Sequence, residues 1–399
     1  MKLHKIKIED SLLSFSNELE YIYRFDELYV FITSREIDFI KSNIRIIESI
    51  TATKTIYFVI QKGGSFENEQ PDIVPLMNFG RYLFVELDSE EYEQIIQHKH
   101  VCWEIEELSK YKEVFFRVHK DISRRKVLPH TFSVSKERLK EHLDNLCKEQ
   151  SRFAFSKQYL NAVDYCKNYL KDLGYDVNLQ EFKVLNKGEY KSTVNVIATK
   201  SGVSNQPKTF IVGAHLDSIN KDGYDLLAPG ADDNASGSAG VLEMAEQLIH
   251  IEYPNNLIFI LFGAEELGLY GSKHYVSNTM PKETILGIIN MDMIARKNGD
   301  NYGVLVEGHE VSKELVKALS QIASDYTNLK VDVSYTPYAS DHVPFINANY
   351  PALLTIEGSD SSNIDIHTDR DVLTNIDYEL MSEILKANLI CVNEFLSAD

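Results

Sequence analysis

Two regimes of hydrophobic patterning follow one another along the chain. From about residue 20 to 110, short apolar runs alternate with polar starts. Leu28-Tyr-Val-Phe-Ile32 leads into Thr33-Ser-Arg-Glu36 and the spaced residues Ile37, Ile40 and Ile44, and Thr55-Ile-Tyr-Phe-Val-Ile60 then closes the first half. Tyr82-Leu-Phe-Val85 is followed by Asp88-Ser-Glu-Glu91, by Tyr92, Ile95 and Ile96 at helical spacing, and by an apolar run from Val101 to Ile105. This pattern predicts a small α/β sandwich of two strand-helix-strand halves, with Gly63-Gly64 to Pro75 as the loop between them. No His, Cys or carboxylate cluster falls in it, so a prosegment-like or docking domain over residues 1–119 is expected. The basic stretch Lys120 to Pro129 ends in a helix breaker and marks a linker over 120–134.

The second regime, residues 135–399, reads as one large domain. Ser135 to Cys147 and Ser156 to Leu173 are amphipathic helices, the second closed by Gly174. Buried-strand runs then alternate with helical ones. Strands are predicted at Thr193 to Ala198, Phe210 to Ala214, Leu257 to Phe262, Ile285 to Asn290 and Ala352 to Ile356, and helices at about 235–250, 312–326 and 377–396. Near-continuous apolar strands separated by helices imply an α/β fold with a mixed, largely parallel sheet covered on both faces. Ligands of such sheets bind beyond the carboxyl ends of the strands, which makes the residues just after each strand the ones to inspect.

Composition narrows the class. The 399 residues are 44% hydrophobic and 25% charged, as in a folded domain, and the net charge of -19 argues against a nucleic-acid groove. The four cysteines are scattered without a CxxC pair, so neither a thiolate zinc site nor a disulfide framework is indicated. No run approaches the roughly 18 to 20 apolar residues of a membrane span. The first residues lack the apolar core and small-residue cleavage site of a secretory signal, so a cytoplasmic protein is expected.

The predicted strand ends are rich in metal-ligand types. His215 and Asp217 follow one strand, Glu265 and Glu266 another, Asp292 a third, and His367 comes after an acidic loop beyond the strand ending at Ile356. Asp233 lies in Pro229-Gly-Ala-Asp-Asp-Asn-Ala-Ser-Gly237, a turn opening onto a helix. Any one of these residues alone has a bland reading as a core histidine or a helix cap. Together, two imidazoles and several carboxylates without thiolate suit Zn2+, with Co2+ or Mn2+ also accommodated. Two divalent ions roughly 3.5 to 4 Å apart can share a carboxylate and a hydroxide, the arrangement that activates water for hydrolysis. Asp233 is then the bridge, with His215 and Asp292 on one ion and Glu266 and His367 on the other. Glu265 is placed as general base, and Asp217 as acceptor of the second imidazole N–H of His215.

The segments GAHLDS (213–218), PGADDNASG (229–237), FGAEELGLYGS (262–272), NMDMI (290–294), SDHVPF (340–345) and HTDRD (367–371) resemble the M28 family of di-zinc aminopeptidases over roughly residues 150–396. The resemblance implies the same ligands and the same base, and a cis peptide bond after Asp233. It also implies a tyrosine hydroxyl that steadies the tetrahedral oxyanion, for which Tyr338 is favoured over Tyr335. His342 and His274 are left as residues that support the ligands from behind or serve packing. The activity so implied is an exopeptidase that hydrolyses the N-terminal peptide bond of a peptide substrate. A glutaminyl cyclase with one zinc on the same type of fold, a carboxypeptidase, for whose basic pocket no clear arginine is seen although Arg296 lies close after Asp292, and a non-catalytic peptidase-like binding protein are the alternatives.

Overall fold

The computed structural model describes all residues except 9–19, 35–43, 98–101, 119–131, 225, 282–283 and 399. The chain divides into two compact units. The first comprises Met1–Arg117 together with Val333–Tyr338 and Asp360–Ile364, and the second the remainder. Most of the expected linker, 120–134, lies outside the described residues.

In the first unit, the strand Tyr82–Leu87, the helix Ser89–Ile96 and the strand Trp103–Glu107 realise the second predicted half. The helix starts at Asp88, whose carboxylate accepts the N–H groups of Glu90 and Glu91 while Glu91 reaches back to the Asp88 N–H. Antiparallel pairing orders a small sheet Met77–Asn78, Tyr82–Leu87, Thr55–Gln61, Trp103–Glu107. The first half differs from expectation. The predicted helix at Ile37 and Ile40 falls outside the described residues, and Ile44 opens a strand, Ile44–Thr51, that pairs antiparallel with Lys2–Ile8. Its run of β-branched residues favours an extended chain over a helix. The segment expected as a loop after Gly64 contains a short helix, Ser65–Glu69.

The second unit is built on a mixed sheet. Its order is Asp176–Asn186, Glu189–Lys200, Asn256–Phe262, Thr209–His215, Ile285–Met291, Ala352–Glu357, Gly303–Glu307. Asn256–Phe262, Thr209–His215, Ile285–Met291 and Ala352–Glu357 run parallel to one another. Glu189–Lys200 and Gly303–Glu307 flank them antiparallel. Every residue of Thr209–His215 is buried, as expected of a strand covered on both faces. The helices Gly237–Leu248, Lys313–Tyr326 and Tyr378–Leu396 agree with the helical patterns. Not foreseen was the edge hairpin of Asp176–Asn186 with Glu189–Lys200, and a helix, Tyr270–Asn278, follows the glutamates and carries His274. Among the described residues no helix is long and apolar enough to cross a membrane.

Helices Lys136–Leu146 and Lys157–Asp172 are capped by Ser135 and Ser156, whose hydroxyls accept the N–H groups of Arg138 and Tyr159. Between them the buried ring of His142 stands edge-on to Tyr169, with Nδ1 2.8 Å from the Tyr165 hydroxyl. Burial, and then the charge of Arg138, bring its pKa down from 6.5 to about 4. The folded value is below the unfolded one, so the stability that neutral His142 lends is present above pH 6.5 and is lost as pH falls toward 4. That loss amounts to at most about 3 kcal/mol. Thermal denaturation at pH 7.5 and 4.5 should therefore show a smaller acid-induced drop in Tm for His142→Gln than for the native chain. Equal drops would show that His142 does not titrate with unfolding.

Candidate metal centre

Each central parallel strand leads to a polar group at its carboxyl end. His215 is the last residue of Thr209–His215, Glu265 and Glu266 follow Asn256–Phe262, and Asp292 follows Ile285–Met291. His367 lies beyond Ala352–Glu357, at φ 54°. Asp233 enters from the turn that precedes helix Gly237–Leu248. All are buried except His367, whose side chain is 10% exposed.

The side chains converge. His215 Nε2 lies 3.2 Å from Asp233 Oδ1 and 3.4 Å from Asp292 Oδ1. His367 Nε2 lies 3.1 Å from Asp233 Oδ2 and 2.7 Å from Glu266 Oε2. The two oxygens of Asp233 thus face different histidines. Glu265 Oε2 is 4.0 Å from His215 Nε2. Two groups each offer three ligand atoms within 4.8 Å of one another: His215, Glu265 and Asp292, and His215, Asp233 and Glu266.

Other carboxylates act as braces. Asp217 accepts the N–H groups of Glu265 and Glu266 at 3.1 and 3.3 Å, which fixes the turn carrying both glutamates. His215 Nδ1 is 3.1 Å from the backbone carbonyl of Asp217 and 3.8 Å from its carboxylate. The carbonyl, in place of the expected carboxylate, therefore accepts the ring N–H and leaves Nε2 facing the cluster. Asp371 accepts the N–H groups of Asp232 and Asp233, each at 2.9 Å. The buried Arg152 guanidinium donates to the carbonyls of Leu216, Pro229 and Gly230. Asn234 Nδ2 donates to the Met291 carbonyl at 2.9 Å, and the Asp233–Asn234 peptide bond is cis, as the resemblance implies. Ser340 Oγ donates to Asp292 Oδ2 at 2.7 Å. Asp371 and Ser340 lie inside motifs quoted above, whereas Arg152 carries no sequence signal.

Tyr338 belongs to the first unit, and burial, followed by the charges of Cys102 and Glu104, raises its hydroxyl above the ordinary tyrosine range. Tyr335 has its ring centroid 6.2 Å from that of Phe116. His342 Nε2 lies 3.3 Å from Glu307 Oε1, both side chains buried, and His274 stacks on Phe182 at 5.2 Å.

The electrostatics call for positive charge. Burial pushes the Asp217 carboxyl up to about 7 against the pull of His215. It takes Asp371 up to about 7 and, helped by the charge of Asp371, Asp232 up to about 8. At His215 burial favours the neutral ring, yet the charges of Glu265 and Asp292 hold its pKa well above the usual value. The donor set fits divalent ions. His215 Nε2 and Glu266 Oε1 are buried without a hydrogen-bond partner. The His215 separations of 3.2 and 3.4 Å exceed the usual charge-assisted hydrogen bond. They match the spacing of about 3.4 Å between two donors that each sit about 2.1 Å from one tetrahedral zinc.

Residues 195–391 match peptidase family M28. A probable leucine aminopeptidase of Trichophyton verrucosum is 30% identical over 273 residues, which span 65% of this chain and 71% of that one. The chain belongs to peptidase family M28. In fold it is similar to a zinc aminopeptidase from Bacillus subtilis, with TM-score 0.59 and 18% identity over 66% of this chain and 96% of that one. It is also similar to a glutaminyl cyclase of Bacteroides thetaiotaomicron bound to N-acetylhistamine, with TM-score 0.57 and 17% identity over 66% and 99%.

Gly230 gives the turn of Asp233 its shape. It has φ +55°, and a Cβ there would come within 2.4 Å of the Asp233 carbonyl and 2.6 Å of the Ser218 Cβ. Gly230→Ala should cost about 2 kcal/mol or more and displace Asp233. Zinc titration of the variant is expected to show at least 10-fold weaker binding than in the native chain. Native affinity would mean that the turn does not need this glycine.

Proposed function

We propose that the protein is a zinc-dependent aminopeptidase that removes the N-terminal residue of a peptide. The observation that carries this reading is the placement of Asp233, with one carboxylate oxygen toward His215 and the other toward His367. A carboxylate shared in this way suits a pair of ions, His215 and Asp292 holding one and Glu266 and His367 the other. When bound, such a pair supplies Lewis acidity and a water activated for attack near neutral pH.

The chain's own residues do the rest. Glu265, held on its turn by Asp217, is the proposed general base, accepting the proton of the attacking water and passing it to the leaving amine. The excess of buried carboxylates favours the protonated α-amine of a substrate and disfavours a C-terminal carboxylate. Arg296, the basic group a carboxypeptidase would need, is engaged with Asp365 at 2.7 Å. Aminopeptidase action is therefore preferred over cleavage at the other terminus. Asp217 and Asp371 have no chemical step in this scheme. They fix the glutamate turn and the Asp233 turn through backbone N–H groups.

Glu265 also falls in one of the two ligand groups, so its role as base or ligand needs a separate readout. Glu265→Gln is expected to retain two zinc equivalents while kcat drops roughly 100-fold to 10,000-fold. Loss of one equivalent would make Glu265 a ligand, and unchanged kcat would remove it from the reaction.

A glutaminyl cyclase shares the fold, so products decide between the two chemistries. Zinc-loaded enzyme given a glutamine-led peptide should release free glutamine and leave the N-acetylated peptide intact. Pyroglutamyl peptide with a single zinc equivalent would overturn hydrolysis in favour of cyclisation. No turnover on a broad peptide panel with no zinc bound would point to a binding protein.

A further inference from the structure

The connection from His215 to the Asp233 turn has a middle part, residues 219–228, that falls between the motifs GAHLDS and PGADDNASG. It is tied down near both ends. The Lys221 N–H donates to the His367 carbonyl at 2.9 Å, and the Ala228 N–H donates to the Gln150 carbonyl at 2.8 Å, beside a β-bridge between Ser151 and Ala228. Arg152, next along, reaches inward to the carbonyls of Leu216, Pro229 and Gly230. The residues on either side of it, Ser151 and Phe153, line a recess instead.

That recess has a volume of about 420 Å³ and is bounded by Phe153, Phe155 and Tyr224 together with Gln150, Ser151 and Gln158. Phe153 stacks on Tyr224, with ring centroids 4.5 Å apart and planes 17° from parallel, and meets Phe155 edge-on at 5.3 Å. The Lys187 ammonium, at the tip of the edge hairpin, stands 5.3 Å from the centre of the Tyr224 ring. All three aromatic residues are only half-buried, and Leu226 and Leu227 on the same connection are 44% and 45% exposed. Aromatic rings left partly open around a hollow of this size, with a few polar groups among them, are the usual lining of a site for an apolar group.

The recess adjoins two ligand-bearing connections, and all of its residues belong to the second unit. Phe155 packs with Leu267 against the cluster that holds Ala264, the residue before Glu265. On the other side Tyr224 is three residues from Lys221, at most about 11 Å of extended chain, and Lys221 is bonded to His367. An aminopeptidase holds the first residue of its substrate at the metal centre, so only the chain beyond the scissile bond extends over the surrounding surface. The third to fifth residues of an extended peptide lie roughly 7 to 14 Å further on, the range in which this recess opens.

We propose that the recess is a substrate subsite that takes an apolar side chain from the third to fifth residue of the peptide, with Phe153 and Tyr224 as its specificity-determining residues. The proposal rests on the aminopeptidase reading and gives it a substrate class, peptides longer than a dipeptide that carry an aromatic or large aliphatic residue downstream of the bond cleaved.

The test gives the zinc-loaded full chain a hexapeptide of leucine followed by five glycines, and a series in which one phenylalanine is moved through positions 2 to 6. With phenylalanine at one of positions 3 to 5, kcat/KM should exceed that of the all-glycine peptide by about 10-fold or more, the gain expected from burying such a side chain. Tyr224→Ala and Phe153→Ala should each remove most of that preference, and Tyr224→Phe, which keeps the ring, should retain it. A purely structural role would slow both peptides together and leave their ratio native. If Phe153→Ala does not fold, Tyr224→Ala carries the comparison. A flat series in the native chain, or a native ratio in folded Tyr224→Ala, overturns the subsite. If the native chain cleaves none of the peptides, the aminopeptidase reading falls, and calorimetric binding of the same series decides the recess. Tighter binding of a phenylalanine peptide that is lost in Tyr224→Ala would uphold it, and equal binding throughout would overturn it.

Discussion

Carboxylates sealed from water are unfavourable as anions unless something positive, or a set of directed N–H groups, stands against them. The second unit buries an unusual number of them around one point, and its architecture follows from how each is compensated. Asp217 and Asp371 each face a pair of backbone N–H groups and so serve the scaffold. Asp233 and Asp292 are aimed at His215 at distances that suit a shared cation, and Asp233 and Glu266 face His367 at 3.1 and 2.7 Å. This division separates the residues that shape the centre from those that would hold its ions.

The parallel strands make the convergence possible. Strands that run side by side end side by side, so groups placed at each end or within four residues past it meet without long loops. His215, Glu266 and Asp292 arrive in this way. Asp233 arrives on a turn held from several directions, by Asp371 through the N–H groups, by Arg152 through the carbonyls of Pro229 and Gly230, and by Asn234 through Met291. His367 needs a longer connection, and the segment just before it is built into the other unit. A centre assembled from strand ends and one braced turn has its groups held in place by the scaffold, the arrangement that electrostatic preorganisation needs.

Much of this was legible in the amino-acid order. The central strands are near-continuous apolar runs, and their ligands stand directly after them, so strand and site share one signal. The braces were harder to see. That the Asp217 carboxylate holds the glutamate turn, while its carbonyl takes the His215 N–H, depends on how two strand ends meet, which spacing does not encode. Arg152 acts through carbonyl oxygens and leaves no motif. The hairpin around Lys187 and Gly188, both at positive φ, carried a turn signal that the apolar pattern alone passes over. At Ile44, isoleucines at intervals of three and four satisfy a helical period, but the following β-branched run favours the strand that forms. The place of Tyr338 in the first unit is a tertiary fact with no local trace.

The central claim is that Asp233 lies between two cations. Anomalous scattering at the zinc edge from crystals of the zinc-loaded protein tests it most directly. Two peaks roughly 3.5 to 4 Å apart are expected, with Asp233 between them, one beside His215 and Asp292 and the other beside Glu266 and His367. A single peak, or peaks that leave Asp233 uncoordinated, would contradict the account.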